Sequence, residues 1–285
     1  MRAVYGEHPG SYIVPPEAVL QALRTEDLAA YHRAHYLPNS ALLIAHGDLT
    51  LADLSARLKR VLGDWRRGEP AVRKLPELSG PTKSRVLLVD RPGSVQTSLW
   101  LGGLGIERNS EDYFPMLVMN HILGGGPASR LFLNLREDKG YTYGVYSSFS
   151  GSRFPGVVVA STDVRSAVTQ PTLEELAREL KRIGEEPASA QELTNAKRAL
   201  IGRFALSLDS PQALIANVAT QKIYELPSDY WDKYPQYVEA VTPADIQRVA
   251  RKYYDPKRLQ LIAVGDAASV RSALEKYGEV ETPVL

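Results

Sequence analysis

Cysteine is absent from the 285 residues, which excludes disulfides and thiolate metal sites but assigns no compartment, because cysteine-free proteins occur in reducing and oxidising settings alike. Excess charge is absent too: 34 Lys and Arg stand against 33 Asp and Glu, a formal balance of +1. No general field therefore favours nucleic acid or an anionic membrane, and any charged partner must be recognised locally. Long apolar runs are also missing. None approaches the ~18 to 20 residues that a membrane span requires, and the opening "MRAVYGEHPGSYIVPPEAV" holds no apolar core of signal-peptide length. As given, the chain reads as soluble, with its localisation open, and it is long enough for one large domain or for one domain plus a substantial part of another.

Several chemical motifs are missing as well. Neither G-x-x-x-x-G-K-[ST] nor a dinucleotide fingerprint occurs, although "LGGGPASR" begins with three glycines, Gly124, Gly125 and Gly126, and "LGGLGIER" follows a probable strand. There is no G-x-S-x-G elbow, and Ser129 has no spaced His and acid to recommend it over a capping role. Aromatics do not interleave with a basic patch, which argues against nucleic acid. The histidines are His8, His32, His35, His46 and His121. His32 and His35 lie three apart on a probable helix, but "HRAH" lacks the glutamate of a zinc hydrolase, so they read as packing or surface residues. His46 falls in a probable strand and reads as packed. The chain has no zinc site of its own, and an independent hydrolase built on His32 and His35 would need purified protein to retain stoichiometric metal.

What is present is a repeat. Asp27 to Asp48, "DLAAYHRAHYLPNSALLIAHGD", aligns without a gap on Asp245 to Asp266, "DIQRVARKYYDPKRLQLIAVGD", at an offset of 218 residues (245 − 27), with nine of 22 positions identical. Each copy predicts a helix capped by Thr25 or Thr242 and stopped before Pro38 or Pro256, then a short apolar strand closed by Gly-Asp, then a second helix. In the second copy this unit closes about 200 residues of folded sequence; in the first it follows only 26. Duplication of a whole domain is the economical reading, because solenoid periods are far shorter. Residues 1–68 are then expected to be the tail of one domain, 69–84 a linker rich in Pro, Gly and charge, and 85–285 a complete second domain of the same kind.

Within the second domain, "SRVLLVDRP" and "VQTSLWLGGLG" read as two strands joined by a Pro-Gly turn, and "SEDYFPMLVMNHIL" as a helix with Ser110 at its cap. The glycine run stops that helix, "ASRLFLNLREDKG" resumes as a helix that Gly140 ends, and "YTYGVYSSFS" and "FPGVVVASTDV" form a strand pair. From Val164 to Tyr254 the periodicity is helical nearly throughout. The expected class is α+β, a mainly antiparallel sheet with helices packed on one face, in a duplicated-domain architecture whose first copy is truncated.

On "VYGEHPGSY", "TEDLAAYHRAHYLPNSALLIAHGDL", "LGDW", "LVDRPGSVQTSLWLG", "LGGGPASRLFLNLREDKGYTYGVYS" and "PASAQELTNAKRALIGRF", the chain resembles the pitrilysin, insulinase and mitochondrial-processing-peptidase family of zinc endopeptidases over nearly its whole length. The resemblance implies that the first domain of such a protein carries the zinc motif H-x-x-E-H, upstream of the segment where this chain begins, and that the second is metal-free. It implies that the second domain contributes the glycine-rich loop Gly124 to Gly126 and an Arg and Tyr seven apart, Arg136 and Tyr143, that face the zinc domain and bind substrate. Tyr141 is the nearest confusable residue. The glycines are either a backbone surface for peptide or a joint between two helices. The expected role is the non-zinc half of a metalloendopeptidase, inactive alone, whose partners are a peptide or unfolded polypeptide and a zinc-bearing domain or subunit in a hetero- or homodimer. The alternative is a proteolytically inactive scaffold subunit.

Overall fold

The computed structural model describes residues 1–71 and 75–283. Short helices α1 (Arg2–Tyr5) and α2 (Glu17–Ala22) lead into α3 (Thr25–His35) and α4 (Leu51–Leu62). From Arg85 onward a strand-rich half holds β1 (Arg85–Asp90), β2 (Gln96–Leu104), α5 (Tyr113–Gly124), α6 (Arg130–Phe132), β3 (Thr142–Gly151) and β4 (Pro155–Arg165). A helical run follows: α7 (Thr169–Glu185), α8 (Ala190–Ser207), α9 (Pro211–Ile223), α10 (Tyr234–Ala240) and α11 (Pro243–Tyr253). The chain then forms β5 (Gln260–Gly265), α12 (Ala267–Leu274) and β6 (Val280–Glu281).

The strands make one six-stranded sheet in the order β3-β4-β2-β5-β1-β6. The three pairings from β3 to β5 are antiparallel and the two involving β1 are parallel. The turn at Arg91 to Gly93 does connect β1 to β2, but the two strands do not pair, because β5 lies between them. That placement explains why "LQLIAVG" is apolar almost throughout: a central strand is enclosed by neighbours as well as by the covering helices.

One face of the sheet carries the core. Val86, Leu88, Leu99, Val145, Val158, Ala160, Val164, Leu261 and Ala263 cluster with Met116, Met119 and Leu123 of α5, Leu173 and Leu176 of α7, and Ile246 of α11. The other face is more open: Trp100 and Tyr146 are exposed and Val157, Val159 and Ile262 half-buried. Met1 and Val4 lie against it and line a groove of about 290 Å³ with Trp100, Val159 and Ile262. Tyr5 anchors this opening segment by donating its hydroxyl to the Pro155 carbonyl at 2.9 Å.

A buried carboxylate ties the layers together. Asp112 at the head of α5 accepts from Arg248 (2.5 Å), Lys252 (2.7 Å) and the Tyr253 hydroxyl (2.7 Å). Burial raises its pKa, but the combined bonds from α11 outweigh that and hold it down to about 2. Ser110 does not cap α5 as expected. The helix starts at Tyr113, and the Ser110 hydroxyl accepts the Asp112 N–H in the preceding turn at 3.1 Å.

The first repeat copy departs from expectation. Its helices form, but residues 41–46 make no strand and are mostly exposed, Leu42 and Leu43 by more than half. A strand needs neighbours to satisfy its backbone, and among the described residues none lies beside this one. His46 is accordingly exposed rather than packed in a strand. Thr25 is the first residue of α3, not its cap; Arg24 occupies the cap position and donates its N–H to Asp27 Oδ2 at 2.9 Å. Thr242 does cap α11, accepting from the Asp245 N–H at 3.2 Å. The expected linker 69–84 includes 72–74, which lie outside the described residues.

Candidate functional site

The three glycines have separate roles. Gly124 ends α5 against β3, where a Cβ would stand 2.3 Å from the Ser147 nitrogen, so no larger residue allows this helix to approach this strand. Gly125 closes the helix with its N–H on the His121 carbonyl at 3.2 Å, and a Cβ there would stand 2.6 Å from the His121 Cα. Gly126 has open space where a side chain would be. The first two therefore have structural reasons to be glycine, and Gly126 alone presents bare backbone.

Beyond the run, Arg130 donates in two parallel bonds to Glu192 of α8, at 2.6 and 3.0 Å. Glu192 also completes a capping box with Ser189, and these contacts, that from Arg130 being the largest, hold its carboxyl down to about 2. The "GGGPASR" and "SAQE" motifs, 62 residues apart by this contact, thus meet in space. Ser129 sits at the cap position of α6 but makes no side-chain cap bond.

The helix resumed by "ASRLFLNLREDKG" changes pitch. After the single turn of α6, residues Leu133–Asp138 form a π-helical turn, with the Lys139 N–H on the Asn134 carbonyl at 3.0 Å. Such wide turns carry one extra residue and re-aim the side chains on them. Asn134 fixes this one from beneath, its amide donating to Glu175 (2.9 Å) and to the buried Glu179 (2.8 Å) of α7. Gly140 ends the turn in the left-handed region at φ 63°, as its position in the sequence predicts.

Arg136 leaves this turn half-exposed, its guanidinium 4.7 Å from the Phe132 ring centre and 3.7 Å from Glu137. Asp138 pairs instead with Lys139 at 2.8 Å, a contact that lowers the carboxyl pKa and raises that of the amine.

Tyr143 is turned outward by a defect in β3. The register with β4 slips between Thr142 and Val145. In unbroken alternation Tyr143 would share the helix-facing side of Val145 and Ser147; the bulge instead leaves it 93% exposed. Hydroxyls satisfy the disrupted backbone: Thr162 donates to the Gly144 carbonyl at 3.0 Å, Thr142 donates to the Asp163 carbonyl at 2.7 Å, and the Gly144 N–H donates to Thr142 Oγ1 at 3.1 Å. Tyr141 lies before the strand, half-buried, with its N–H on the Leu135 carbonyl at 2.9 Å.

Arg136 and Tyr143 line one groove of about 480 Å³, together with Tyr141, Thr142, Asp163, Arg165 and Gln96. The glycine run is not part of its wall. A guanidinium and a phenol on one groove can both donate to the carbonyl oxygens of an extended chain, and β3 is the sheet's edge. The sequence singled out Arg136 and Tyr143, which line this groove, but not Arg165, the Asn134 bonds to α7 or the Thr162 bond to Gly144. Those bonds join residues distant in the chain, so no local pattern signals them.

The histidines do not assemble a metal site. His32 stacks on Tyr36 at a ring separation of 4.8 Å, and His35 packs against Tyr31 at 4.3 Å with the rings tilted by 40°. His8 is buried beside Tyr5 and Phe154 and accepts the Gly10 N–H at 3.0 Å. At His121, burial first and Arg203 second lower the imidazole pKa. Among the described residues no three His, Asp or Glu side chains converge as metal ligands, so a zinc ion does not fit this chain's own residues.

The family profile described as the peptidase M16 inactive domain matches residues 22–200. The chain belongs to that family. Among curated relatives it is 28% identical over 210 residues to the uncharacterized zinc protease YmxG of Bacillus subtilis, covering 73% of this chain and 50% of that protein. It is 25% identical over 296 residues to the β subunit of the mitochondrial-processing peptidase of Lentinula edodes, covering 98% and 61%. Among solved structures, a peptidase M16 inactive domain from Pseudomonas fluorescens superposes with a TM-score of 0.85 at 26% identity, over 93% of this chain and 63% of that one. The M16 chain described here thus spans about half to two-thirds of the length of these relatives. One relative, from Helicobacter pylori, is named a non-peptidase homologue; it is 24% identical over 184 residues, 64% of this chain and 42% of its own.

Proposed function

We propose that this M16 inactive domain is the substrate-orienting half of a zinc metalloendopeptidase, acting on peptides or unfolded segments with a zinc-bearing domain or subunit. The observation that carries the reading is the shared groove of Arg136 and Tyr143. The π-turn and the β-bulge each expend regular hydrogen bonding to present one donor there. In this role the Arg136 guanidinium and the Tyr143 phenol hold carbonyl oxygens of the bound chain and stabilise charge that develops on them, while zinc in the other half supplies the activated water. Residues 1–68 are the closing part of the preceding domain in the same proposal, which accounts for the exposed apolar side chains between Ile13 and Trp65.

Mixing the chain with its zinc-bearing counterpart and following cleavage of a quenched fluorescent peptide tests this. Arg136→Ala and Tyr143→Phe are each expected to lower the rate by ~100- to 1,000-fold, the cost of losing one oriented donor. Parent-like rates in both variants would remove the proposed roles. The non-peptidase relative favours a second reading, a scaffold subunit without proteolysis. A stable complex with the zinc-bearing half and no cleavage of any peptide would select it.

A further inference from the structure

We infer that the groove selects polypeptide segments carrying an acidic side chain, and that Arg165 is the residue that reads it. The inference rests on the proposed substrate role of Arg136 and Tyr143 and names the substrate class of that site.

Two guanidiniums and one carboxylate line the groove: Arg136, Arg165 and Asp163. The three cations and anions are not equally free. The Asp163 carboxylate accepts from the Ser98 hydroxyl on β2 and forms no ion pair among the described residues. Arg136 rests on Phe132 and is already assigned to the main chain of the substrate. Arg165 forms no ion pair among the described residues. It ends β4, exposed, and pairs with Gln96 of β2 in the sheet register. The Ser166 N–H that follows it donates to the Val95 carbonyl at 3.0 Å, so the backbone beneath the side chain is tied to the neighbouring strand.

A guanidinium without an ion pair among the described residues, on an anchored strand end in the groove wall, is open to an anion from outside the chain. Arg offers a planar fork that matches a carboxylate in two parallel bonds. An extended peptide repeats its same-side residues every two positions, ~7 Å apart. In this inference a segment held by its carbonyls at Arg136 and Tyr143 places a neighbouring side chain in the groove that Arg165 also lines. A glutamate or aspartate there gains the pair, whereas a lysine meets like charge.

Fluorescence anisotropy with the whole chain tests this without any catalytic partner. Three labelled ten-residue peptides are used, unstructured and identical except for Glu, Gln or Lys at one central position. The expected order of affinity is Glu, then Gln, then Lys, with Glu over Gln by about 3- to 10-fold at low salt, a preference that shrinks in 0.5 M salt because the pair is exposed. Arg165→Gln is expected to abolish the preference, Arg165→Lys to retain part of it, and Tyr143→Phe to weaken all three peptides alike while keeping their order. Equal binding of the three peptides, or a preference unchanged in Arg165→Gln, overturns this inference and leaves the substrate-orienting reading standing. Binding of none of the peptides by the parent chain overturns this inference too, while the cleavage assay with the zinc-bearing half decides the substrate-orienting reading separately.

Discussion

The two copies of the repeat share nine of 22 residues, yet one folds into a domain core and the other does not. Leu261, Ile262 and Ala263 become β5, enclosed by β1 and β2. Leu43, Ile44 and Ala45, the same residues in the same order, form no strand, and Leu43 is 58% exposed where Leu261 is 3%. The helices tell the complementary story, since both α3 and α11 form. A helix satisfies its backbone from within, whereas a strand depends on chain that is far away in sequence. A repeated pattern therefore transmits helices reliably, and strands only where neighbours exist.

Matched substitutions at aligned positions test this contrast. The largest expected difference is at the aligned leucines: Leu261→Ala should cost ~2–5 kcal/mol in urea unfolding, as a buried truncation does, and Leu43→Ala no more than about 0.5 kcal/mol. Equal losses would mean that the first copy is packed after all. Next comes the clamp between α5 and the second-copy helix α11. Because the folded pKa of Asp112 is depressed to about 2, its stabilisation is present above the ordinary carboxylate pKa of ~3.9 and is lost as pH falls toward 2. That loss is on the order of 2 kcal/mol, and unfolding midpoints measured between pH 5 and 2 should show a shallower acid decline in Asp112→Asn. Nothing in the first copy carries a corresponding carboxylate clamp among the described residues. The smallest contrast concerns the caps: Thr242→Ala should lose ~1 kcal/mol, while Thr25→Ala, already inside its helix, should be nearly neutral by the same unfolding measurement.

The site was unevenly legible. The spacing of Arg136 and Tyr143 stands in the linear sequence, and Gly140 marks the turn between them. Their outward aim does not, because it depends on Asn134 reaching Glu175 and Glu179 and on Thr162 reaching across to Gly144. The sequence left the glycine run as either a peptide-facing backbone or a joint, and only the approach of α5 to Ser147 distinguishes Gly124 from Gly126.

Local and repeated quantities were written in the sequence itself: helix positions, the turn glycines, the repeated segment and the Arg-Tyr spacing. Tertiary structure alone decided which apolar run became a strand, which way Tyr143 faced, and that Arg165 shares a groove with Arg136. Periodicity, capping and turn preferences act within a few residues and can be read along the chain. Strand pairing, bulges and grooves are made by residues brought together from distant positions, and those contacts exist only once the chain has closed on itself.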